Sequence, residues 1–291
     1  MAMIVGCGAV GRQLAGALAG VGEPVRGVVR SPDSARTLAE LGVETLVCDL
    51  DTERLPPGTS AGEAVWYLVP PPAQGREDTR LQGFLAGLQS SGQPRRILLI
   101  STSGIYGDCG GDWIDETREP NPRVDRAHRR LDAERLLLAW REASGGEAVI
   151  FRVAGIYGPG KLPLERLRLG LPMIAPEHAP WTNRIHLDDL VQACVLGMWH
   201  GRDGEIYNVS DGHPGNMADY FNRVADLAEL SRPPLIGPVE AEERLSAGLR
   251  SYFAESRRLR NDKLLRELGL VLRYPDLASG LVACFRDIEG S

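Results

Sequence analysis

The chain has 291 residues, of which 43% are hydrophobic and 25% charged, and a formal net charge of −6 at pH 7. This balance belongs to globular proteins and excludes disordered, collagen-like and membrane-spanning classes, since no apolar run approaches the roughly 20 residues that cross a bilayer. No basic block interleaved with aromatics suggests nucleic acid, so the expected partner is a small-molecule substrate or effector, with no nucleic acid and no membrane.

Apolar runs alternate with amphipathic stretches from the first residues onward, the pattern of βαβ units feeding a parallel sheet. Residues 2–5 read as a strand, 10–19 as a helix, 25–29 as a second strand and 33–41 as a second helix. Further strands are expected at 43–48, 64–69, 97–100 and 148–153, short and rich in β-branched residues, as suits a sheet covered on both faces. A helix begins near Pro122. Beyond residue 155 a proline-studded stretch runs to Pro180, followed by a helix over 188–199, a strand over 205–209 and a mainly helical remainder. The expected fold is therefore α/β: a Rossmann doubly wound parallel sheet over residues 1–160, with strands from 185–210 returning to it, and a small C-terminal substrate lobe in 161–291. With no charged n-region or apolar h-region ahead of the first strand, a cytoplasmic location is expected. Five scattered cysteines match neither a zinc ribbon nor a disulfide framework, and five histidines form no HxxxH or HExxH pair. Reduced thiols and no metal site are expected.

The first strand ends in GCGAVG, which sets Gly6, Gly8 and Gly11 at the GxGxxG spacing just before a helix. Gly6 makes the tight turn, Gly8 lets a pyrophosphate approach the backbone, and Gly11 lets helix and strand pack closely; Ala9 and Val10 supply N–H groups at the helix start. After the second strand, the position that would hold Asp or Glu for a ribose 2′-hydroxyl carries Arg30-Ser31 instead. A guanidinium pairs with a 2′-phosphate, so NADP is expected over NAD. Asp49-Leu50 stands where the adenine ring is expected, although a carboxylate there equally suits a turn. Val69 and Pro70, after the fourth strand, complete the expected coenzyme contacts.

Four later segments carry a family resemblance. The stretch Ser101-Thr102-Ser103-Gly104-Ile105-Tyr106-Gly107 resembles the [ST]-[ST]-x-x-[VI]-Y-G segment of extended short-chain dehydrogenases/reductases, the NAD-dependent epimerase/dehydratase family. FRVAGIYGPG (151–160), NRIHLDDL (183–190) and EIYNVSDG (205–212) resemble further family segments in the same order. The resemblance implies a substrate lobe for nucleotide-sugars or related carbonyl and hydroxyl compounds, and a homodimer. It also implies a catalytic Ser/Thr, matched by Thr102, and a Tyr and Lys in YxxxK. The sequence departs from the family at that last motif. Aligning Glu134 with the family's glutamate puts Arg126 at the tyrosine and Arg130 at the lysine. Guanidinium stays protonated at neutral pH and cannot serve as a base, so conventional hydride chemistry needs a displaced group such as Tyr106, His128 or Tyr157. Arg126 and Arg130, four apart, share a helix face that the family geometry turns to the coenzyme. Three functions fit the sequence: an NADP-dependent oxidoreductase or epimerase, a catalytically inactive NADP(H)-binding sensor, and an assembly protein that retains the loop.

Overall fold

The structure, a computed structural model, describes residues 1–289. Seven parallel strands form its centre: β1 (Ala2–Val5), β2 (Val25–Val29), β3 (Glu44–Val47), β4 (Ala64–Tyr67), β5 (Arg96–Thr102), β6 (Glu147–Val153) and β7 (Ile206–Val209). Their order across the sheet is β7-β6-β5-β4-β1-β2-β3. The chain therefore reverses its direction of winding between β1 and β4, where doubly wound sheets leave a crevice at the carboxyl ends of the strands. Strand residues alternate strictly between two cores. Ile4, Trp66 and Leu98 face one side, whereas Met3, Val5, Val65, Tyr67, Ile97 and Leu99 face the other.

The helices that cover these faces follow from the same apolar periodicity. On the first face lie α1 (Ala9–Gly20) and α2 (Pro32–Ala39), and on the second α3 (Thr79–Ser91) and α4 (Asp125–Ser144). The short α5 (Leu164–Arg168) opens the C-terminal lobe, and α6 (Leu187–His200) returns to the first face. After β7 come α7 (Met217–Leu227), α8 (Pro238–Arg244), α9 (Ala247–Phe253), α10 (Asp262–Leu268) and α11 (Leu277–Glu289). The lobe has its own core, in which Tyr157, Met173, Tyr220, Val224 and Leu281 meet. Four two-stranded parallel or antiparallel pairs stitch its loops; one of them sets Arg184–His186 beside Gly155–Tyr157. Thus the strand expected at 205–209 joins the main sheet, while the segment at 184–186 forms a separate pair.

A buried polar network locks the sheet behind the carboxyl ends of β5 to β7. Arg152 on β6 pairs with Glu134 on α4 at 2.8 Å, and Ser101 on β5 donates to the same carboxylate at 2.5 Å. Arg152 also donates to the Tyr106 hydroxyl at 3.0 Å, which in turn donates to Asn208 Oδ1 on β7 at 2.8 Å. Removing one partner from a buried pair of this kind costs about 3–5 kcal/mol, because the remaining charge has no water to turn to. All five cysteines are buried thiols. Among the described residues no helix is long and apolar enough to cross a membrane.

Candidate functional site

The glycine loop builds the first cavity, of about 450 Å³, at the β1/β4 reversal. Gly6 has φ +94°, and a Cβ on it would stand 2.8 Å from the Val69 nitrogen. A Cβ on Gly11 would stand 2.6 Å from the Gly6 carbonyl oxygen, so α1 lies against the end of β1 at a distance only glycine permits. In front of Gly8 nothing lies within 4 Å of where a Cβ would be. Helix α1 begins there with no side-chain cap and no acidic residue in its first turn. Its first N–H groups and the positive end of its dipole therefore face open space, an arrangement that fits a dinucleotide pyrophosphate.

Most of the residues expected to hold the coenzyme are gathered here. Ala9, Val10, Arg30, Asp49, Leu50, Val69 and Pro70 all line this cavity together with the three glycines. Asp49 also accepts from the Asp51 N–H at 3.1 Å, so its carboxylate serves the turn as well. Ser31 is not among them. Its hydroxyl accepts from the Ser34 N–H and caps α2, as Ser does at an N-cap, and Ser34 lines the cavity in its place. Arg80 closes the rim: it holds Asp51 through two bonds of 2.6 Å and donates to the Pro70 carbonyl at 3.0 Å. That guanidinium keeps the Asp51 carboxyl below the usual carboxylate range. Lys161, one of two lysines in the chain, reaches the same cavity from the lobe side.

A second cavity, of about 420 Å³, opens beside the first, past the ends of β5 and β6. Thr102 lines it, and its Oγ1 also accepts from the Gly104 N–H at 3.2 Å. Both arginines of the departed YxxxK motif line it too. Arg130 stands at the seam of the two cavities, since it donates to the Val69 carbonyl at 3.3 Å; burial pushes its pKa down while Asp78 opposes that shift. Arg126 donates to Ser251 Oγ at 2.7 Å and lies over the Tyr252 ring at 4.3 Å. Arg184 and Arg257 complete a set of four guanidiniums, against a single lining carboxylate, Glu255. Glu255 accepts from Arg257 at 2.9 Å through Oε2, whereas its Oε1 is buried without a partner.

The displaced acid/base groups suggested by the sequence are not brought to either cavity. Tyr106 is buried, its hydroxyl committed to Arg152 and Asn208, and burial pushes its pKa up to about 12. Tyr157 is fully buried in the lobe core and donates to the Asp276 carbonyl at 3.4 Å. His128 lines neither cavity. Sequence reasoning missed Ser34, Arg80 and Lys161 in the first cavity and Arg184, Glu255 and Arg257 in the second. Only Arg184 fell inside a segment that the sequence had singled out, NRIHLDDL.

Comparison with known proteins agrees with this architecture. Residues 76–210 match the NAD dependent epimerase/dehydratase family. Protein YeeZ of Escherichia coli K12 is 28% identical over 286 residues, covering 94% of this chain and 96% of that protein. The structure of a conserved protein of unknown function from Silicibacter pomeroyi DSS superposes with a TM-score of 0.80 at 30% identity, covering 99% of this chain and 98% of the other. A UDP-glucose 4-epimerase of Thermotoga maritima, solved with UDP-glucose, shares the fold at 17% identity with a TM-score of 0.79, covering 100% and 99% of the two chains. Together with the glycine loop and the sheet order, these matches show a chain that shares the Rossmann fold of the epimerases and is similar, over residues 76–210, to the NAD-dependent epimerase/dehydratase family.

Proposed function

We propose that this protein is an NADP(H)-dependent oxidoreductase or epimerase that acts on a hydroxyl or carbonyl group of a small molecule held in the second cavity. The observation that carries the reading is the meeting of the two cavities at Arg130 and Val69, beside Thr102 at the end of β5. When bound, the nicotinamide supplies a hydride acceptor or donor at that seam. Thr102 holds the substrate oxygen by its hydroxyl, and Arg130 fixes the ribose end of the coenzyme. Neither Arg126 nor Arg130 can take a proton at neutral pH. Glu255 is the one carboxylate lining the second cavity, and the role of proton acceptor is assigned to it on that ground. The UDP-glucose bound by the Thermotoga relative supports nucleotide sugars as a first substrate panel.

The preference for NADP rests on Arg30 and Ser34, which line the first cavity just after β2, with no acidic residue at the end of that strand. Calorimetric titration tests it. A charge-assisted contact to the 2′-phosphate contributes about 1.5–3 kcal/mol, so NADP should bind about tenfold or more tighter than NAD. Arg30→Asp should reverse that order. Equal affinities for the two coenzymes, unchanged by the substitution, would overturn the preference.

A further inference from the structure

The guanidinium of Arg184 has no acidic partner of its own. It lines the second cavity, its Nε is buried without a hydrogen-bond partner, and among the described residues no carboxylate stands within ion-pairing distance of it. One face of the planar group rests on the Tyr220 ring, 3.8 Å from the centroid. Space for the group comes from Gly155, where a Cβ would stand 2.8 Å from Arg184 Nη1. The aromatic shelf and the missing Cβ hold the guanidinium in one plane at the cavity wall. Burial pushes its pKa down, yet an arginine remains charged at neutral pH.

An unpaired charge in such a place is costly unless something neutralises it. No group lining the cavity does so, and the Asp211 carboxyl, which attracts Arg184 from beyond ion-pairing distance, is itself pushed towards its neutral form by burial. Arg126, Arg130 and Arg257 add three further positive charges, and Glu255, the one lining carboxylate, is already bonded to Arg257. The excess is three positive charges in about 420 Å³ of a molecule whose overall charge is negative.

Building on the reading of this cavity as the substrate site, we infer that the substrate carries an oxyanion, a carboxylate or a phosphate, seated edge-on against Arg184. The rigid fork of a guanidinium matches either group with two parallel hydrogen bonds, and the Tyr220 stack leaves that edge free. Arg126 lines the same cavity and adds to the positive potential that draws the anion in. The substrate class is thus a small acid or phosphate ester.

Binding without turnover tests the inference. The whole protein, saturated with NADP, is titrated by calorimetry in anion-free buffer with inorganic phosphate, with malonate and with uncharged galactose. At least one anion should bind, with affinity that falls as salt rises, and galactose should not bind. Tighter phosphate identifies a phosphate ester; tighter malonate identifies a carboxylic acid. Arg184→Gln should weaken the anion about tenfold or more and leave NADP affinity unchanged, while Arg184→Lys should recover part of the loss. If Arg184→Gln fails to fold, Gly155→Ala, which pushes the guanidinium aside, should weaken the anion in its place. Failure of both anions to bind the wild type, or wild-type affinity in a folded Arg184→Gln protein, overturns the inference. Anion binding in a protein that does not bind NADP would instead sink the coenzyme assignment and leave this one standing, because an anion at the glycine loop is indifferent to Arg184.

Discussion

Asp211, at the end of β7, is a carboxyl group deprived of water. One oxygen accepts from the His213 N–H at 2.9 Å, and the other is buried without a partner. Desolvation pushes its pKa up to about 7, against the opposing pull of that hydrogen bond and of the His213 and Arg184 charges. The unfolded carboxyl ionises near 3.9. Because the folded pKa is the higher one, the native state keeps a proton that the unfolded chain releases, and stability falls as pH rises from about 4 to about 7 before levelling off. Asp211→Asn removes that term. Its stability should gain on the wild type across this window, towards a ceiling of about 4 kcal/mol, and its melting temperature should rise relative to the wild type accordingly; parallel melting curves from pH 4 to pH 8 would refute it. The sequence contained Asp211 within EIYNVSDG but not its burial. The same holds for Tyr106 and Ser31: their neighbours in space, Arg152, Asn208 and the start of α2, decide where each hydroxyl points.

The glycine loop with its flanking strand and helix is the element most legible in the sequence, because three spacings report one geometry. Gly8 and Gly11 separate its two duties. Gly11→Ala would force its Cβ against the Gly6 carbonyl, moving α1 away from β1 and lowering both stability and coenzyme affinity. Gly8→Ala meets no protein atom within 4 Å, so the fold should lose less than about 1 kcal/mol while NADP affinity drops, the methyl group standing in the path of the pyrophosphate. Thermal melts and coenzyme titrations on both variants check this; full NADP affinity in Gly8→Ala would show that the phosphates lie elsewhere. Less legible was α3, over Thr79–Ser91, which the sequence reading passed over. Gly83 and Gly87 break its apolar pattern, and they are there because the Arg54 side chain packs across them, 3.2 Å from where each Cβ would be. The two-residue pairs of the lobe left no periodicity to read.

At the scale of the whole molecule, the sheet order and the two cores could be anticipated from the alternation of strands and helices, whereas the second cavity could not. Its walls come from segments far apart in the chain: Thr102 from β5, Arg126 and Arg130 from α4, Arg184 from the lobe, and Glu255 and Arg257 from the segment after α9. No local pattern ties these residues together. The five buried thiols, by contrast, are distributed over the parts of the molecule in a way that lets chemistry report on each. Cys7 and Cys48 line the coenzyme cavity, Cys109 sits under the Tyr106 turn, Cys194 lies in the sheet core and Cys284 in the lobe core. Burial pushes the Cys7 thiol up to about 12 and the Cys194 thiol up as well, so neither presents a thiolate to a reagent until its surroundings open. Reaction with a disulfide reagent in native buffer should then be staggered, each step timing one local opening. Coenzyme should slow the modification of Cys7 and Cys48, read by peptide mapping, and leave Cys284 at its own rate; five thiols reacting together would mean that the lobe and the sheet open only as one. The wild-type chain thus carries its own clock for each compartment, with no engineered label required.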